Sequence, residues 1–248
     1  MDLTIDTGDG PAEAWLARPG APDRDVPGVL LFMDAIGLRP RIREMADRIA
    51  GWGYAVLAPN VFHRSGTAAE TSPDTDLRAP GERERFFEKA IPRMHALTTD
   101  LSRADTARYL DALVAADGVS GDAPVAVVGY CMGVRLALRA AGDHPDRVAV
   151  VGGFHGGGLV TDDADSPHLS LRSTRASVLL RHADDDPSMP PEGMEAIAAL
   201  ARESGVELDQ AVYPGAPHGY SMEDTPMYEA SAAEKHFEEL RAHLGRHL

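Results

Sequence analysis

The chain has 248 residues, 44% of them hydrophobic and 25% charged, the balance of an ordinary soluble globular protein long enough to bury a core without staples. Its formal net charge of −15 argues against nucleic acid and anionic membranes as partners, because both would repel it. A single cysteine cannot close an internal disulfide, and no apolar run approaches the roughly 18 residues of a bilayer span.

The opening MDLTIDTGDG lacks the basic and apolar regions of a secretory signal, so a cytoplasmic location is expected. LTID and AEAWLAR flank TGDG and read as an N-terminal hairpin. VPGVLLFM is a continuous apolar run, which suits a strand buried on both faces of a parallel sheet. In RPRIREMADRIAGWG, residues Ile42, Met45, Ala46, Ile49 and Ala50 recur on one helical face, and Gly51 and Gly53 can end the helix. YAVLAPN is the next buried strand. Residues 61–100 read as a long excursion or lid over the sheet edge, with a helix beginning near Glu82.

ADTARYLDALVAADG is helical, and APVAVVGY is a strand entering Gly129-Tyr130-Cys131-Met132-Gly133. Beyond it RVAVVGGF, ASVLLRHA and VELDQAVYPG read as strands, while PEGMEAIAALARES and EASAAEKHFEELRAHL read as helices. Strands alternating with helices, without repeat or linker, predict one doubly wound α/β domain with a mostly parallel sheet and helices on both faces.

In such folds ligands gather at the carboxyl ends of the strands, and Cys131 stands there between a strand and a helix. A G-x-nucleophile-x-G elbow needs small residues because the turn is sharp, and Gly129 and Gly133 supply that room. The helix start behind it favours a thiolate and a developing oxyanion, with the Met132 N–H as one donor. The bland alternative is a small buried hydrophobe. A nucleophilic elbow expects an acid and then a histidine downstream. The chain offers LLRHADDDPSMPPE and then YPGAPHGYSM, each after a strand. His218 is the best base by position, since His236, His243 and His247 fall on or after a C-terminal helix expected to be exposed. The acid is one of Asp184, Asp185 and Asp186. A metal site through His182 is discounted, because adjacent carboxylates point different ways.

Together these features resemble the dienelactone hydrolases, a branch of the α/β-hydrolase fold with a cysteine nucleophile. The resemblance spans roughly residues 10–245. It rests on the cysteine elbow, on FMDAIGL after the first long buried strand, on GYAVLAPNVFHR and on GAPHGY. It implies a triad of Cys131, His218 and one aspartate. The family's aspartate stands four residues before a proline that opens the following helix, so counting back from Pro190 selects Asp186, with Asp184 in reserve. Asp34 takes the place of a family glutamate that helps deprotonate the thiol, and the Ala35 N–H would be the second oxyanion donor. Of two family arginines that hold a substrate carboxylate, Arg85 matches one, with Arg83 a rival. The other falls on Met222, a departure that weakens bidentate carboxylate recognition. Gly219 and Val134 also depart from the family pattern.

The implied activity is hydrolysis of small-molecule esters or lactones, without cofactor or metal. The alternatives are a thioesterase or general carboxylesterase with the same triad, or a small-molecule-binding protein that kept the fold and lost turnover. The string GGFHGGGL follows the elbow, whereas the oxyanion string of lipases precedes it, so His155 is expected to line the pocket or to pack.

Overall fold

The computed structural model describes residues 1–20 and 24–248. The chain forms two compact units, residues 1–123 with 224–226, and residues 124–223 with 227–248.

In the first unit the hairpin of β1 (Asp2–Asp6) and β2 (Pro11–Ala17) leads into β3 (Gly28–Phe32) and β4 (Ala55–Pro59). The strand order is β1-β2-β4-β3, with β3 parallel to β4 and the hairpin antiparallel. Every residue of β3 and β4 is buried, as their unbroken apolar runs require. Helix α1 (Pro40–Ala50) opens with proline in its first turn and buries Ile42, Met45, Ala46, Ile49 and Ala50, the face read from the sequence.

The excursion after β4 is more ordered than its composition suggests. A 3-10 turn (His63–Ser65) leads to the short α2 (Ala68–Thr71), whose start is closed by a capping box between Thr67 and Glu70. Helix α3 (Glu82–Ala96) begins where expected and buries only Ala90. Helix α4 (Thr99–Val114) follows, and its Leu113 packs on Gly28 of β3.

In the second unit β5 (Val125–Tyr130), β6 (Val148–Phe154), β7 (Ser177–His182) and β8 (Leu208–Val212) are all parallel in that order. They alternate with α5 (Gly133–Asp143), α6 (Pro191–Ser204) and α7 (Ala230–His247). Two adjacent glycines of β6 show how the faces are covered. A Cβ on Gly152 would stand 2.9 Å from Leu240 of α7, while one on Gly153 would stand 2.6 Å from Val134 of α5. Successive strand residues point to opposite faces, so α7 and α5 cover opposite sides of these strands. Gly156 also makes room for Val134, with its added Cβ 2.9 Å from that side chain. The bulkier residue after the elbow is thus accommodated by two glycines on and beyond β6.

The C-terminal helix is more buried than a surface helix would be. His236 and His243 are buried, contrary to the exposed positions expected, and His236 packs on Phe154 of β6 and on Tyr130 of β5.

Adding a methyl group at Gly153 forces it into Val134 and Leu180, so Gly153→Ala is expected to cost about 1–3 kcal/mol in urea unfolding. Combining it with Val134→Ala opens the space, and the double variant should be more stable than the sum of the two single losses.

Candidate active site

Strand β5 ends in a turn whose geometry explains its glycines. A Cβ on Gly129 would lie 2.3 Å from the Gly133 carbonyl oxygen, so the returning helix backbone leaves room for hydrogen only. Cys131 itself adopts φ 54°, in the left-handed region that a non-glycine side chain enters at a cost. Its N–H is tied to the Phe154 carbonyl of β6 at 3.1 Å, and the residue is half-buried. Helix α5 starts immediately, with the Val134 and Arg135 N–H groups bonding the carbonyls of Cys131 and Met132. The Met132 amide lies ahead of that ladder, at the positive end of the helix dipole.

The loops after β7 and β8 supply the partners. His218 Nε2 lies 3.1 Å from Cys131 Sγ, and its Nδ1 donates to Asp186 Oδ2 at 2.6 Å. The aspartate run separates into three roles. Asp184 accepts from the Gly215 and Asp185 amides. Asp185 takes φ 48°, and that left-handed residue turns the chain so that its neighbours face different ways. Asp186 is buried and faces the imidazole. Ser188, absent from the sequence reading, donates to Asp186 Oδ1 from its hydroxyl at 2.6 Å and from its amide at 2.9 Å. Both carboxylate oxygens are therefore oriented. The sequence signal was a serine two residues past an aspartate, a common local bonding pattern.

Electrostatics follow the contacts. Burial alone would lower the basicity of His218, but the adjacent Cys131 sulfur and the Asp186 carboxylate overcome it and raise its pKa to about 10. Burial likewise opposes ionisation of Asp186, yet hydrogen bonds from His218 and Ser188 bring its pKa down to about 2.

Asp34, Ala35, Arg83 and Arg85 lie in the first unit. Asp34, buried at the end of β3, is held bidentately by Arg39 at 2.7 and 3.1 Å and accepts from the Ile36 amide at 3.0 Å. Arg39 is itself buried and also grips Asp224. This guanidinium between two carboxylates was not foreseen, since each pair of partners is legible only after folding. Ala35 is buried, and its carbonyl accepts from Arg93 at 3.1 Å. Arg93, also unforeseen, lies 5.0 Å from the rings of both Phe62 and Phe86. Arg85 is largely exposed and pairs with Glu82 one turn away at 2.7 Å, while Arg83 stacks over Phe87. Met222, in the second unit, is 1% exposed, so an arginine placed there would bury its charge. Of the candidates, Cys131, Met132, Asp186 and His218 stand together. Asp34, Ala35 and Arg85 belong to the first unit. Among the described residues no cluster of three or more His, Cys, Asp or Glu could hold a metal ion.

The model of the dienelactone hydrolase family matches residues 12–248. The chain belongs to that family. A relative from Salmonella typhi, which carries the provisional name carboxymethylenebutenolidase, is 26% identical over 227 residues, covering 89% of this chain and 77% of its own. The solved structure of m3DLH superposes with a TM-score of 0.82 at 25% identity, over 100% of this chain and 98% of that one. A dienelactone hydrolase-like promiscuous phosphotriesterase from metagenomic libraries shares the fold at a TM-score of 0.74 and 24% identity, over 98% of this chain and 95% of its own. The protein thus has the α/β-hydrolase fold with a mostly parallel sheet. It is a carboxylic ester hydrolase of the dienelactone hydrolase family, acting on small-molecule esters or lactones. Among the described residues no helix is long and apolar enough to cross a membrane.

The buried Arg39–Asp34 pair has a measurable consequence: Arg39→Met strands a carboxylate in the interior, and urea unfolding is expected to show a loss of about 3–5 kcal/mol. The raised pKa of His218 gives a signed pH dependence. Its stabilising contribution is complete below the unfolded pKa of about 6.5 and disappears as pH climbs through about 10. The stability gap between wild type and His218→Gln should therefore narrow steadily across that interval.

Proposed function

We propose that Cys131 attacks the carbonyl carbon of an ester or lactone as a thiolate paired with the His218 imidazolium, with Asp186 orienting the ring. The observation that carries this reading is the 3.1 Å approach of Nε2 to the sulfur, with the Asp186 carboxylate on the other ring nitrogen. At that distance the sulfur can pass its proton to Nε2, which gives the thiolate–imidazolium pair.

Attack forms the carbon–sulfur bond and moves the carbonyl electrons onto oxygen, where the Met132 amide at the start of α5 stabilises the negative charge. Losing one such donor costs roughly 10²–10³ in rate. Collapse expels the alkoxide, which takes the proton from His218 and departs as the alcohol. The imidazole, now neutral, draws a proton from water as that water attacks the thioester, and the thiolate leaves with the acid product released. Esters suit this site better than amides, because a thiolate is expelled more readily than an amine from the tetrahedral intermediate. A thiol that must stay reduced, and an acidic chain unsuited to nucleic acid, fit an enzyme of small molecules in the cytoplasm.

With p-nitrophenyl acetate as substrate, Cys131→Ala is expected to lose at least about 10³ in kcat, and iodoacetamide to abolish wild-type turnover. At about pH 6 His218→Gln should slow alkylation of Cys131 at least about tenfold, because the imidazolium no longer stabilises the thiolate. Ester hydrolysis that survives in Cys131→Ala would remove the nucleophile from this account.

A further inference from the structure

The HGGG string takes no part in the reaction so far, and its first residue is an unusual histidine. His155 follows β6 with φ 41° and is completely buried. Its Nε2 lies 2.7 Å from the Ser221 hydroxyl, three residues beyond His218, while Nδ1 has no hydrogen-bond partner among the described residues. A left-handed non-glycine backbone and an unsatisfied buried nitrogen both cost stability. A residue that only filled space would need neither.

The surroundings of His155 point to the base. Its ring meets His218 edge-to-face, with centroids 5.5 Å apart at 65°. Tyr220 stands 4.9 Å away and Tyr130 5.9 Å away, so the ring is wedged in aromatic neighbours. Burial, reinforced by the charges of His218 and His236, keeps its basicity well below that of an ordinary imidazole, so it meets His218 as a neutral ring. The glycines that follow continue the same wall. A Cβ on Gly157 would stand 2.3 Å from Ser188 Oγ and 3.4 Å from His218 Cε1, and the Gly158 amide donates to the Ser188 carbonyl at 2.6 Å.

The contacts of Nδ1 with Asp186 and of Nε2 with the sulfur hold the two nitrogens and leave the ring able to tilt about the line between them. A neutral aromatic neighbour removes that freedom without repelling the positive charge. We infer that His155 is a positioning residue: bonded to Ser221, it pins the loop that carries His218 and backs the imidazole, keeping Nε2 on the Cys131 sulfur. The inference rests on His218 as the acid–base of the proposed reaction.

Two variants test it. His155→Phe keeps the aromatic wall and loses the bond to Ser221, and Ser221→Ala removes the same bond from its other end. Both are compared with wild type by kcat and KM for p-nitrophenyl acetate and by the pH profile of Cys131 alkylation with iodoacetamide. Each variant should lower kcat by about threefold to tenfold with KM little changed, as expected for one hydrogen bond. Each should also move the alkylation profile to higher pH. The double variant should be no worse than the poorer single, because both act through one contact. If urea unfolding shows that His155→Phe does not fold, Ser221→Ala decides alone. A Ser221→Ala enzyme with wild-type kcat and an unmoved alkylation profile overturns the role of His155. A loss of activity that only tracks loss of folded protein overturns it equally. His218→Gln, measured alongside, separates the two levels. Full activity there removes the base itself, whereas inactivity there with a wild-type Ser221→Ala removes only His155.

Discussion

The contact between Cys131 Sγ and His218 Nε2 at 3.1 Å sets demands on everything around it. The sulfur can stand at that distance only if the chain leaves β5 in a left-handed turn, and the turn can close only if Gly129 carries no side chain. The imidazole must reach it from a residue 87 positions downstream, across the ends of two intervening strands. The strain at the elbow is then held in place by the ladder on one side and the first turn of α5 on the other. This is how backbone conformations that cost free energy persist at reactive positions.

The acid side of the site shows the same economy of orientation. Three consecutive aspartates raise an obvious question of which one matters, and the backbone answers it. With Asp185 in the left-handed region, Asp184 turns back to the Gly215 amide and Asp186 turns to His218. Ser188 then completes the hydrogen bonding of Asp186, so the carboxylate has neither a free oxygen nor a choice of direction. A weakly ordered carboxylate would steady the imidazole less.

Much of this was legible in the sequence, for reasons that can be stated residue by residue. Continuous apolar runs mark β3, β4 and β5 because strands buried on both faces favour apolar residues throughout. The period of Ile42, Met45 and Ile49 marks α1 because one face of a helix must find a core. The cysteine turn, the aspartate run and His218 could be picked out as candidates because each follows a strand. Partnerships made between distant residues were not. Nothing near Asp34 announces that Arg39 will close on it from one side while reaching Asp224 on the other. The burial of His236, His243 and Met222 was equally hidden, since a helix pattern shows which residues share a face but not how deeply that face sinks. The capping box of α2 lay in a stretch whose polar composition reads as loop.

One division in the chain carries a wider consequence. Cys131, Asp186, His218 and Ser188, which the hydrogen bonds bring together, all fall within residues 124–223, inside the second unit. These four side chains are thus inherited as one contiguous block. Mutation or recombination in the first 123 residues leaves all four of those side chains unchanged, so the two stretches of chain are free to evolve at different speeds.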